Sequence, residues 1–261
     1  MIRKEADWLD LETDAGMWQV LDRVGITYQR GQTFVESPDE QFEDKCEYLD
    51  ELRQQVAGHE AQIGLYLDEL QYFQQPAIER GWEKKGNQPT VDRPASSKYA
   101  WSRHVLSAID WQCGDLFCRH QDSFDRETFI ELYRRIADEY SGADRIWVIQ
   151  DNLPVHFHID ILEKLETQKW PWDFPSPPTW PDPEEAARCD GPLSIQLAPL
   201  PTYASWLNPV ERFWRNLKRQ VLYLQPNGCA TDELIEDVDA FLDRRASAPS
   251  KVLSETGLSC G

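Results

Sequence analysis

The chain has 261 residues, enough for a sizeable buried core, and at -19 its net charge is too acidic for general nucleic-acid coating by neutralised phosphates. No stretch reaches the roughly 18 consecutive uncharged apolar residues of a membrane span, and "MIRKEADWLDLETD" at the start lacks the apolar run of a signal peptide; we expect a cytoplasmic protein with no membrane partner. The six cysteines are scattered, with no C-x-x-C pair, and are expected to be buried reduced thiols.

In chain order, "GMWQVLDRV" (16–24) has helical spacing of Met17, Val20, Leu21 and Val24 and stops at Gly25. "ITYQRGQTFVE" alternates like a short strand or arm, and Ser37-Pro38-Asp39 opens an acidic helix running to about Ala57. "IGLYLDELQYF" reads as a strand, a turn near Glu69, and the start of a second strand. "HVLSAIDWQCGDLFCRH" (104–120) reads as one or two more strands around Gly114. Residues 125–143 form an amphipathic helix through Phe129, Leu132, Tyr133 and Ile136, and "RIWVIQDN" (145–152) is a strand suited to burial on both faces. A helix at about 157–167, a Pro/Trp-rich loop over 168–190, a strand at 193–199 and a helix opened by Asn208-Pro209 follow; a last helix at about 231–245 precedes a small-residue tail. The order implies an α/β fold, a mixed sheet flanked by helices, with a short N-terminal helical and arm segment.

Charge is unevenly placed. Residues 1–60 carry 15 Asp/Glu against 6 Lys/Arg, whereas 191–223 carry 1 against 4, so a local basic patch survives in an acidic chain. In the helix after Asn208, Val210, Phe213, Trp214, Leu217 and Val221 form one apolar face. Glu211, Arg215 and Lys218 recur on the other, with Arg212 and Arg219 beside them as candidate DNA contacts. Asn-Pro-Val-Glu also matches a capping box, which by itself would explain Glu211.

Asp68 and Asp151 each end an apolar run, where α/β sheets gather ligands, although an Asp after a strand is commonly a turn or helix cap. Three carboxylates meeting without a cation are costly: two charges about 4 Å apart repel by roughly 4 kcal/mol at an effective dielectric near 20. Oxygen-only ligands suit magnesium or manganese, and a pair of such ions suits phosphodiester chemistry.

"YLDE" (66–69), "VIQDNLPVHFH" (148–158) and "LAPLPTYASWLNPVERFWRNLK" (197–218) resemble, in order and in element, the three catalytic blocks of bacterial insertion-sequence transposases of the mariner superfamily, the insertion sequence six-thirty type. The resemblance implies a ribonuclease-H-like fold with Asp68, Asp151 and Glu211 as a metal-binding DDE triad, holding two Mg2+ or Mn2+ ions. It further implies Asn152, His156 and Asn208 in supporting roles, DNA cleavage at transposon ends, strand transfer into target DNA at TA, and action as a homodimer near the nucleoid. His156 is expected to pack or hydrogen-bond rather than to ligate a metal with His158. On this reading 1–60 is the end of a helix-turn-helix DNA-binding region plus a linker helix, 61–225 the catalytic domain with its 168–190 insertion, and 226–261 a C-terminal helix and tail. The 60 residues from Asp151 to Glu211 exceed the mariner spacing by that insertion. A magnesium-dependent nuclease without strand transfer, or an inactive remnant that only binds, are the alternatives. Replacing Asp151 by Asn is expected to remove a stabilising metal response and to leave the metal-free protein at least as stable.

Overall fold

In a computed structural model, residues 14–25, 37–73, 102–172, 193–223 and 231–258 are described. The chain divides into two compact units, Met1–Glu36 and Ser37–Gly261. Within the first, helix α1 (Asp14–Arg23) ends at Gly25, whose φ of 73° lets the chain leave the helix. The expected arm at 26–36 lies outside the described residues.

In the second unit the elements run α2 (Phe42–Ala57), β1 (Gln62–Phe73), β2 (Ser102–Asp110), β3 (Leu116–Gln121), α3 (Arg126–Glu139), β4 (Arg145–Gln150), α4 (Ile159–Leu162), β5 (Ile195–Pro199), α5 (Val210–Leu217), α6 (Thr231–Ala246) and α7 (Pro249–Thr256). The sheet order is β3-β2-β1-β4-β5; β1, β2 and β3 pair antiparallel, and β4 lies parallel to both β1 and β5. Alternation along each strand sends side chains to two cores. On one face Tyr66, Leu70, Val105, Ile109 and Ile149 meet α2, α5, α6 and α7. On the other, Leu65, Leu67, Leu106, Val148 and Leu197 meet α3 and α4. Gly64 leaves room on the first face: a Cβ there would stand 1.9 Å from the Trp111 ring, so only glycine lets the indole lie on β1.

Several expectations change. The turn near Glu69 is absent: β1 is one strand of 12 residues, and its ladder with β2 runs unbroken from Leu65 to Phe73. Two consecutive acids suggest a turn, but the antiparallel neighbour satisfies the backbone through them. The helix at 157–167 shrinks to the four residues of α4, after which Leu165 bridges Leu193. The tail instead forms α7, and Val252 is fully buried in the same core as Phe213 of α5 and Phe241 of α6. The expected burial of the thiols is not met: Cys113 is exposed and Cys46 and Cys118 are half-buried, all three free, and Cys189, Cys229 and Cys260 lie outside the described residues. Most of the Pro/Trp-rich segment also lies outside them, although Trp170 is buried with its Nε1–H donated to the Leu197 carbonyl at 3.0 Å. Among the described residues no helix is long and apolar enough to cross a membrane.

Candidate active site

The site forms where the parallel pairing of β1 and β4 ends. The last paired residues are Tyr66 and Ile149, so Asp68 lies just past the β4 ladder while β2 still holds it in strand geometry. Asp151 follows β4 directly. Asn208 then ties the third element in: its Nδ2–H donates to the Leu67 carbonyl at 2.8 Å, and its Oδ1 accepts from the Val210 N–H at 3.1 Å. One buried side chain thus starts α5 and fastens that start to β1 beside Asp68.

The capping box does not close. The Asn208 N–H is given to the Ser205 carbonyl at 2.9 Å, so Glu211 has no cap donor to reach back to. Among the described residues the Glu211 carboxylate has no hydrogen-bond partner, and it sits half-buried at the edge of the helix. α5 runs on into a π-helical turn (Lys218–Leu222), and the apolar face of the two is as expected, with Val210, Phe213, Trp214, Leu217 and Val221 all buried. Trp214 has a second task, its Nε1–H donating to Asp68 Oδ2 at 2.9 Å.

Asp68 is where the charges collide. Burial pushes its carboxyl well above the usual carboxylate range, repulsion from Glu211, Glu69 and Asp151 pushes the same way, and the Trp214 bond offsets only part of this. Glu211 and Asp151 are therefore each within electrostatic reach of Asp68 on a negatively overloaded rim, although the ligand atoms of the three do not all come within 4.8 Å of one another.

Glu69 is a residue the sequence reading passed over. Consecutive strand residues face opposite sides, so while Asp68 meets α5, Glu69 meets the loop after β4. There His156, with no exposed surface, places Nε2 3.1 Å from Glu69 Oε2 and Nδ1 2.9 Å from Asp151 Oδ1. Burial disfavours the charged ring, but the bonds to Asp151 and Glu69 outweigh it and raise its pKa to about 10, so at neutral pH it donates from both nitrogens. The candidate ligand atoms of Glu69, Asp151 and His156 lie within 4.8 Å of one another, and with the ring protonated the trio is an ion-pair clamp. The only sequence signal for it was the pair Asp68-Glu69 facing Asp-Asn-x-x-x-His. His158 instead caps α4, accepting from the Asp160 N–H at 3.2 Å.

Asn152 donates Nδ2–H to the Leu200 carbonyl at 2.8 Å and to Thr202 Oγ1 at 3.3 Å, while its buried Oδ1 has no partner among the described residues. Of the basic residues, Arg212, Arg215 and Arg219 are exposed and Lys218 is half-exposed, but Arg212 is also tied down, donating to the Thr256 carbonyl at the end of α7 at 3.2 Å.

Residues 40–232 match the family described as DDE superfamily endonuclease. The chain belongs to that family. A curated relative, the insertion element IS630 uncharacterized 39 kDa protein of Shigella sonnei, is 27% identical over 153 residues. That match takes in 58% of this DDE-family chain and 36% of the relative's length. Among solved structures, the Mos1 mariner paired end complex with Mn superposes with a TM-score of 0.57 at 14% identity, over 98% of this chain and 74% of that one. The Mos1 strand transfer complex gives 0.59 at 15% identity, over 97% and 68%. At such identities the likeness is one of fold, and it establishes the ribonuclease-H-like architecture of the sheet and its helices.

Proposed function

We propose that this chain is the catalytic region of a DDE transposase: metal-dependent cleavage of DNA strands at transposon ends, then strand transfer into target DNA at TA. The observation that carries the reading is the overloaded rim, where burial and like charge lift the Asp68 carboxyl beside Glu211 and Asp151. Membership of the endonuclease family, the insertion-element relative and the fold shared with transposase–DNA complexes all support it.

The residues present fit a hard divalent ion. Asp68 offers an oxygen from within β1 just past its pairing with β4, Asp151 offers another directly after β4, Glu211 adds a carboxylate without a protein partner among the described residues, and the surplus charge calls for a cation. Two Mg2+ or Mn2+ ions held there would activate a water or a 3′-hydroxyl on one side of a phosphodiester and stabilise the leaving oxygen on the other. The protein's own part is to hold and aim. Asn208 and Trp214 hold Glu211 and Asp68 in register, His156 orients Asp151, and Arg215, Lys218 and Arg219 face the neighbouring phosphates. Action as a homodimer on paired ends, in the nucleoid of the cytoplasm, completes the reading.

The test has two arms. Millimolar magnesium or manganese should raise the melting temperature of the full chain, because a ligand bound only to the folded state stabilises it. With a pre-cleaved transposon end and a TA-containing plasmid, joined strands are the expected product. Nicks without joining would replace the reading by a metal-dependent nuclease, and no product despite a metal response would mark an inactive remnant.

A further inference from the structure

We infer that Tyr203 and Trp206 form a stacking platform for an unpaired base of the DNA strand handled at the acid cluster; the inference rests on the DNA-processing function proposed above. Both side chains lie on the loop between β5 and α5, 77% and 47% exposed, whereas most other aromatic groups among the described residues are buried. Their display is built rather than incidental. Thr202 is held on both sides of its backbone, its N–H donating to Asp39 Oδ2 at 2.7 Å and its carbonyl accepting from Ser37 Oγ at 2.5 Å. Ala204 is buried, and Asn208 anchors the far end of the loop to β1. Between these fixed points Tyr203 takes a φ of 55°, the one positive value at a non-glycine position among the described residues. Glycine or asparagine would occupy that backbone more cheaply, so the phenol is retained at a conformational cost, as happens where a side chain serves a ligand.

The chemistry around the pair selects the occupant. Residues 193–210 contain no acid, and the helix they lead into presents Arg215, Lys218 and Arg219. Flat aromatic faces on a loop that leads into a basic helix suit a ligand that is both anionic and planar, and an unpaired base has the free face that a base within a duplex has lost to its neighbours. Asn152 Nδ2–H donates to Thr202 Oγ1 at 3.3 Å, so the loop that carries the aromatic pair is held against the residue that follows Asp151.

The experiment compares two metal-free duplexes of equal length, one blunt and one with a short unpaired tail bearing 2-aminopurine. The full chain should bind the tailed duplex about fivefold or more tightly, as expected for stacking of one base, and quench the probe. The double variant Tyr203→Asn, Trp206→Gln, in which asparagine keeps the left-handed backbone, should lose both effects while its melting temperature and its blunt-duplex affinity stay put. Equal binding of blunt and tailed DNA by the unaltered chain, or a preference that survives in the variant, would overturn the platform alone. Failure to bind either DNA would remove the proposed function together with it. A change in the variant's self-association with its DNA preference intact would assign the aromatic pair to a protein contact and overturn the inference.

Discussion

Asp68 and Asp151 were read as equivalent strand-end aspartates, yet their surroundings give them opposite electrostatics. Asp68 is half-buried among like charges with one neutral donor, the Trp214 indole, whereas Asp151 is paired with a buried imidazolium. Asp68→Asn should therefore stabilise the metal-free protein, by about 1 kcal/mol, because it removes a penalised charge and leaves an acceptor for Trp214. Asp151→Asn should destabilise it, by about 1 kcal/mol, because the charged ring loses one of its two carboxylates and keeps Glu69 and the carbonyl of residue 151, 3.0 Å from Nδ1. Urea denaturation of both variants without metal checks the signs, and equal shifts would refute the clamp. Both should lose the stabilisation by magnesium. The expectation from sequence, that Asp151→Asn leaves the metal-free protein no less stable, is revised by His156, whose position opposite Glu69 is a tertiary fact.

At the scale of elements, α5 divides its duties more finely than its basic composition suggested. Arg215, Lys218 and Arg219 are free to meet phosphate, while Arg212 closes the end of α7 at Thr256 and Gly257. Arg215→Ala and Lys218→Ala should each weaken DNA binding and flatten the dependence of log affinity on log salt by roughly one, the slope lost with a single phosphate contact. Arg212→Ala should leave the slope alone and lower the unfolding midpoint. Salt titrations with all three variants separate the roles, and a reduced slope in Arg212→Ala would return that residue to the DNA face. The apolar stripe of α5 was legible because a period of 3.6 identifies a buried face from one helix alone. Arg212 was not, because α7 was unforeseen and its approach is a matter of packing.

The second unit as a whole is closed by contacts far apart in sequence. Ser37 and Asp39, where the chain enters the unit, bind Thr202 on the loop before α5, and Lys45 pairs with Asp39 at 2.7 Å with both side chains nearly inaccessible. Burial raises the Asp39 carboxyl, but the Lys45 ammonium and the N–H groups of Thr202 and Gln41 outweigh it and hold the pKa at about 2, below the ordinary 3.8. A depressed carboxyl stabilises the fold fully above its unfolded value and loses that contribution as pH falls towards its folded one. The stability difference between the unaltered chain and Asp39→Asn should thus be constant from neutrality to about pH 5 and shrink between roughly pH 4 and pH 2, as followed by thermal unfolding across that range. A constant difference through that window would mean that Asp39 acts only through its shape. The sequence by itself determined the alternation of strands and helices, the buried stripe of α5 and the candidate acids, since periodicity and block order are local properties of a chain. Tertiary structure decided that β1 runs straight through Asp68 and Glu69, that these neighbours face opposite sides towards Trp214 and His156, and that Glu211 is not consumed in a cap. Each of those outcomes depends on which strand, helix or loop lies alongside, and backbone and charge are satisfied by neighbours in space rather than in sequence.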